Sequence, residues 1–300
     1  DNWEKGKKLR ILLVGYNGVR NTGSDVRVAG IVEQLEDLLG KENIEITILA
    51  QNTENLKVYY GRNILLQRTS TLYFMDVFRA CSRNHLVILC EGSTLKSSFA
   101  NALTLFFCQA AGIMKAQGKP SIAYGSEAGY MDKFVERAAK DLCSETYFIA
   151  RTEASLKIIK DLGLAGHLGT DTAWKLHSVS KKERVAEMLR ATGWDGKKPV
   201  LGVAVINPFW WPVKASLYKL AKAFITGNWT FHYKKWYFHS WSENRRKLFE
   251  NYITAISEAV NEYVKNSDVH VAVIGMEMLD EEACYALKKR LKQEAGVFPA

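Results

Sequence analysis

The residues best placed to do chemistry stand just after short apolar runs. The first group is the loop Gly15, Tyr16, Asn17, Gly18, Val19, Arg20, Asn21, Thr22, Gly23, Ser24 and Asp25, which follows the apolar run at 11–14. Gly15, Gly18 and Gly23 let the backbone turn tightly and come close to a ligand. A helix starting at the end of this loop offers unpaired N–H groups and the positive end of its dipole, so the loop suits an anion. Arg20 adds charge. The glycine spacing fits neither G-x-G-x-x-G nor G-x-x-x-x-G-K-[ST]. Gln51 and Asn52, not an acid, follow the second apolar run, which further excludes a dinucleotide fingerprint. Read as structure alone, the loop is a strand-to-helix turn with Asp25 as N-cap.

Four more residues share this position. Glu91 and Glu127 stand within Glu-Gly-Ser and Ser-Glu-Ala-Gly, each after an apolar run. A carboxylate at such an edge can work as an acid or base, and the alternative is a solvated or capping loop acid. Arg151 follows the run at 147–150. Its guanidinium suits a carboxylate or phosphate held bidentately, or else a salt bridge to Glu153 or another loop acid. Asp171 lies in Gly-Thr-Asp-Thr-Ala, where the alternative is a cap or Asx-turn.

The elements needed to hold these residues alternate from the start. Apolar runs at 11–14, 44–50, 63–66, 85–90, 120–124, 147–150 and 167–169 read as strands. Helical spacing recurs at 25–39, 72–81, in a long apolar segment that follows the turn at 91–94 and ends at about 117, at 132–142 and in a segment ending at Gly163. This order predicts an α/β fold with parallel sheets, and ligands bind outside the carboxyl ends of such strands. A polar helix at 181–191 and a glycine-broken stretch at 193–198 separate a second unit, so the lobes are placed at 1–178 and 179–300. The second shows two clear strands, 199–206 and 269–274, and helices at 243–264 and 280–292, and reads as a partial Rossmann-like lobe.

Between them lies an unusual insert at 207–241. It carries Trp210, Trp211, Trp229, Trp236 and Trp241, five of the chain's eight tryptophans. From Asn207 to Ser242 there is no Asp or Glu, while Lys214, Lys219, Lys222, Lys234 and Lys235 are present. Leu217, Leu220, Ala221 and Phe224 share one helical face. A basic helix with aromatic neighbours can rest on an anionic membrane, and aromatic rings can stack on sugars. The same pattern also suits a helical pair over the core or a dimer contact.

Composition narrows the partners. The net charge of +9 favours anionic ones, but no nucleic-acid motif accompanies it, so nucleic acid is not expected. Five cysteines without a C-x-x-C pair read as buried thiols in a reducing compartment. Six histidines without metal-ligand spacing give no expectation of a metal. Residues 1–8 are polar, and the apolar stretch at 100–114 falls short of the ~20 residues a membrane span needs. A cytoplasmic protein, peripheral at the inner membrane face, is the expectation. Oligomeric state is not legible.

In order along the chain, these segments resemble the polysaccharide pyruvyl transferase family. Gly15, Tyr16, Gly18, Asn21, Gly23 and Asp25 follow its G-Y-x-G-x-x-N-x-G-D element, with Ser24 inserted. Arg151, Ser155, Ile159 and Gly163 stand in its R-D-x-x-S-x-x-x-L-x-x-x-G element, with Thr152 for the usual Asp. Asp171-Thr172-Ala173 matches D-P-A, and the segment 271–282 resembles a second-lobe element whose characteristic Asp is Asp280. Glu91-Gly92-Ser93 replaces a run of glycines, and the late Arg-Leu-His element of the family is absent. The resemblance implies two Rossmann-like lobes of GT-B type with the site in the cleft between them. It implies transfer of pyruvate from phosphoenolpyruvate, as donor substrate and with no cofactor, onto two hydroxyls of a sugar or lipid-linked glycan. It assigns the donor or acceptor to Arg151 and the 15–25 loop, and acid/base work to Asp171, with Glu91 and Glu127 added by position. The alternatives left open are a GT-B glycosyltransferase using a nucleotide sugar and a non-catalytic relative that docks on a membrane.

Overall fold

The computed structural model describes residues 2–61, 63–70, 73–176, 182–229 and 231–300. The chain divides into two compact units, Asp1–His177 and Ser178–Ala300. The expected boundary residue 178, and the starts of the helices expected at 72 and 181, lie outside the described residues.

The first unit is built on a strand whose last four residues are all apolar and buried. In β1 (Leu9–Val14), Leu12 and Val14 pack on one face with Phe107, Ala123 and Phe148, while Ile11 and Leu13 pack on the other with Val28, Ile31 and Ile48. A strand covered on both faces needs no polar alternation, which explains the continuous run. After β1 come α1 (Thr22–Leu39), β2 (Ile44–Ala50), β3 (Ile64–Arg68), α2 (Phe74–Arg83) and β4 (Leu86–Leu89). Then follow α3 (Asn101–Ala116), β5 (Ser121–Ser126), α4 (Lys133–Leu142), β6 (Thr146–Ala150), α5 (Glu153–Asp161) and β7 (Gly166–Leu168). All pairings in the sheet are parallel, in the order β3-β2-β1-β4-β5-β6-β7. The order reverses between β1 and β4, and that switch point opens a crevice at the carboxyl ends of the two strands.

Helix α1 begins three residues earlier than its apolar pattern suggests. Asn21, not Asp25, is the N-cap: its Oδ1 accepts the Ser24 N–H at 3.0 Å. Both residue types cap helices well, and the turn delivers the earlier one. Asp25 therefore sits inside the first helical turn.

The second unit holds α6 (Lys182–Arg190), β8 (Val200–Ala204), β9 (Lys214–Ala215), α7 (Leu217–Thr226), β10 (His232–Lys234), β11 (Tyr237–Phe238), α8 (Glu243–Lys265), β12 (His270–Ile274), α9 (Glu281–Lys288) and β13 (Ala295–Phe298). Its main sheet is parallel, in the order β13-β12-β8, with α8 and α9 contributing Phe249, Ile253, Val260 and Leu287 to the core. Two strands were expected and three are present. The third was hidden because α9 ends at Lys288 rather than 292, and β13 is four residues with Gly296 among them. The insert is not a helical pair. It is α7 beside an antiparallel sheet ordered β10-β11-β9, whose strands of two or three residues are too short to show a period. Among the described residues, no helix is long and apolar enough to cross a membrane.

Candidate functional site

The residues expected after β1, β4, β5, β6 and β7 converge at the carboxyl edge of the first sheet. Glu91, just beyond β4, accepts hydrogen bonds from the Ser24 hydroxyl at 2.9 Å and the Tyr16 N–H at 3.3 Å, so it bridges the switch point to the first loop. Its other oxygen lies 3.5 Å from Arg27 Nη1. Arg27 Nη2 donates to the Gly125 carbonyl at 2.7 Å, and Nε lies 3.2 Å from Asp171 Oδ1 as an ion pair without hydrogen-bond alignment. Asp171 Oδ2 accepts from Arg151 Nη1 at 2.7 Å. Arg151 Nη2 donates to Glu127 at 2.5 Å, and Lys96 pairs with the other Glu127 oxygen at 2.8 Å. The result is a chain running Glu91, Arg27, Asp171, Arg151, Glu127, Lys96, in which three cations balance three carboxylates.

The local turns explain why these side chains meet. Gly125 takes φ +62°, which only glycine adopts readily, and its carbonyl reaches Arg27. Gly92 leaves the space where Arg27 and Arg151 guanidinium groups pass, since a Cβ there would collide with Arg27 Nη1. Thr172 donates to the Arg27 carbonyl at 3.2 Å and ties the turn after β7 back onto α1. Thr152 caps α5 by accepting the Ser155 N–H at 3.2 Å, so it does the capping an Asp would do there.

Burial and charge separate the carboxylates into two kinds. Burial works to raise Glu127, but Lys96 and Arg151 outweigh it and hold the carboxyl below its ordinary range. Asp171 is likewise pushed up by burial and brought below its ordinary range by the Ala173 N–H, Arg27 and Arg151. Both are fixed as carboxylates at neutral pH, so neither is the general acid that the sequence left open for them. Asp25 goes the other way: burial pushes it up to about 6. Its proton is therefore exchanged closer to neutral pH than that of an ordinary carboxyl. Arg151 does not pair with Glu153; Glu127 and Asp171 hold it, and they overcome burial to raise its pKa.

Asp25 lies near a second, less charged group of side chains. Tyr60 is raised by burial and further by Cys90 and Asp25, and its hydroxyl is buried without a protein partner. Tyr59 is raised by burial and by Asp25, against the pull of Arg20. Asn17 is buried, donates to the Leu49 carbonyl at 2.9 Å and leaves Oδ1 without a partner. Arg20 takes φ +57°, a left-handed conformation rare outside glycine, and Gly18 takes φ +74° against Asn52. Gly23 and Thr22 lie in the first turn of α1. Among the described residues, no group of three or more His, Cys, Asp or Glu side chains is arranged to hold a metal ion.

Two members of the network were not singled out from sequence. Arg27 is 5 % exposed and lies in the buried stripe of Ser24, Val28 and Ile31 on α1. A lone arginine inside an apolar helical stripe was the available signal. Lys96 follows Leu95, whose isolated bridge to Ala128 brings the loops after β4 and β5 together. Asp280, in contrast, belongs to the second unit: it is 2 % exposed and accepts the Met276 and Glu277 N–H groups at 3.1 and 3.0 Å and the Asn207 N–H.

No family profile and no curated protein matches the chain in sequence. Solved structures match in fold. A UDP-GlcNAc 2-epimerase from Neisseria meningitidis, bound to UDP-GlcNAc, aligns with a TM-score of 0.55 at 12% identity, covering 97% of this chain and 72% of that one. The MnaA–UDP co-structure from S. aureus aligns with a TM-score of 0.55 at 12% identity, covering 98% of this chain and 69% of that one. At such identities the likeness speaks for architecture. With two Rossmann-like units and parallel sheets, the chain has the α/β fold of the GT-B-like class.

Proposed function

We propose that the protein is a carbohydrate-active transferase whose anionic donor is held at the carboxyl edge of the first sheet. One observation carries this reading: Asp25, raised by burial to about 6, follows Ser24, whose hydroxyl bonds the Glu91 end of a network that keeps Asp171 and Glu127 ionised. A proton donor next to fixed carboxylates is what group transfer through a cationic intermediate requires.

Two donors fit, each with its own support. The fold likeness to enzymes solved with UDP-GlcNAc or UDP supports a nucleotide sugar. The order of the motifs and the raised pKa of Asp25 support phosphoenolpyruvate. In that chemistry Asp25 gives its proton to the methylene carbon of the enol. Asp171 and Glu127 stabilise the positive charge at the neighbouring carbon. A sugar hydroxyl attacks that carbon and passes its proton to the Asp25 carboxylate, which restores the acid. Phosphate then leaves with the C–O bond pair, and a second hydroxyl closes the ketal as its proton goes to the departing phosphate. The loop N–H groups at the start of α1 receive the donor's anionic groups.

The two are separated by incubating the full chain with glycan or lipid-linked sugar acceptors and either phosphoenolpyruvate or UDP-GlcNAc. Inorganic phosphate released only in the first case establishes pyruvyl transfer; UDP released only in the second establishes glycosyl transfer. Release in neither, with no donor binding, overturns the proposal.

A further inference from the structure

We propose that α7 docks the protein on an anionic lipid bilayer. Its sequence lays the apolar side chains on one arc, and that arc faces outward. Leu217, Tyr218, Phe224 and Ile225 are each between 70 and 85 % exposed, whereas Ala223, on the opposite side, is buried. At 100° per residue the four span about a third of the helix circumference. A solvent-facing arc of this kind is the reverse of an ordinary surface helix, which turns its apolar side to the core.

The helix is built to persist in this state. Ser216 caps it by accepting the Lys219 N–H at 3.2 Å, and Gly227 ends it in the left-handed region at φ +65°. Phe224 is braced edge-on against Trp229 at 4.9 Å between ring centroids. Ten residues, about 15 Å of helix, cannot span a bilayer but can lie in its interface.

Charge identifies the occupant. Lys222 follows Tyr218 around the helix, Lys219 lies 5.8 Å over the Phe238 ring, and exposed Lys214 stands in β9 just before the cap Ser216. No carboxylate occurs from 207 to 242 to offset them. Lysine stems beside an apolar arc place their ammonium groups at the headgroup level, where anionic lipid attracts them. The inference is independent of the donor, since none of these residues belongs to the first unit.

The test is co-sedimentation of the full chain with phosphatidylcholine vesicles and with vesicles containing about 30 mol % phosphatidylglycerol. Binding is expected only to the second, falling as salt rises. Leu217→Ser with Ile225→Glu should lower it at least about tenfold without changing the thermal unfolding midpoint, because both side chains are exposed. Lys222→Glu should weaken it less. Equal binding to both vesicle types, no binding to either, or binding untouched by the double variant overturns the proposal. So does concentration-dependent self-association, abolished by Ile225→Glu, in place of vesicle binding.

Discussion

Arg27 of α1 and Asp171 beyond β7 meet at 3.2 Å, closing the two ends of the first unit's sequence onto one ion pair. Both Arg27 and its partners are largely removed from water, with side-chain exposures of 6 % for Arg27, 13 % for Glu91 and 19 % for Asp171. The pairing fixes where α1 sits relative to the strand ends, and with it the loop that carries Asp25.

Arg27→Met removes one cationic partner from Glu91 and from Asp171 and the side-chain donor to the Gly125 carbonyl. Removing one member of a buried ion network costs about 3–5 kcal/mol. Urea unfolding of the variant should show a loss of that size. Arg27→Lys should recover little of it, because an ammonium cannot serve three acceptors along a planar fork.

Asp25 should make stability fall with pH in a defined window. Its folded pKa of about 6 lies above the ordinary 3.8, so the folded chain holds this proton more tightly. Stability attributable to Asp25 is present at low pH and declines as pH rises from about 4 through 6. Asp25→Asn should match the wild type near pH 4 and exceed it near pH 7 by about 1 kcal/mol, after allowance for the solvent on its exposed side. The same variant should lose donor turnover, a gain in stability at the expense of activity.

Glu127 and Asp171 should act with the opposite sign. Their folded pKa values lie below the ordinary range, so their contribution is complete above it and disappears as pH falls below about 4. Thermal unfolding between pH 2 and 7 should therefore show a maximum near the lower middle of that range. Glu127→Gln and Asp171→Asn should flatten the acid limb and leave the Asp25 limb in place.

Gly18→Ala tests the first loop itself. Gly18 has φ +74°, and an added Cβ would collide with the Asn52 carbonyl oxygen, a backbone atom that cannot swing aside. Strain and clash together should cost about 1–3 kcal/mol. Donor affinity should fall with it, whereas Gly118→Ala, also at positive φ but with open space around it, should leave donor affinity unchanged.

The sheet was legible because burial on both faces writes itself into sequence as an unbroken apolar run, as at Ile11 to Val14. The strand-end rule then located Glu91, Glu127, Arg151 and Asp171 without any contact being known. Arg27 escaped because periodicity counts apolar residues and passes over a charge in their midst. The cap at Asn21 was misplaced because Asn and Asp are equivalent in propensity, and only the turn chooses between them. Acid and base roles were not legible at all: Asp25, Glu127 and Asp171 carry the same functional group, and only burial and neighbouring cations divide them.

The proposed donor site lies at the carboxyl edge of the first sheet, between the first loop and the Arg27–Asp171–Arg151 network. Titration calorimetry of the full chain with phosphoenolpyruvate, UDP and UDP-GlcNAc measures this directly. One donor class should bind, with affinity reduced at least about tenfold by Arg151→Ala and by Gly18→Ala. Absence of heat with all three, or a donor whose affinity neither substitution changes, would contradict it.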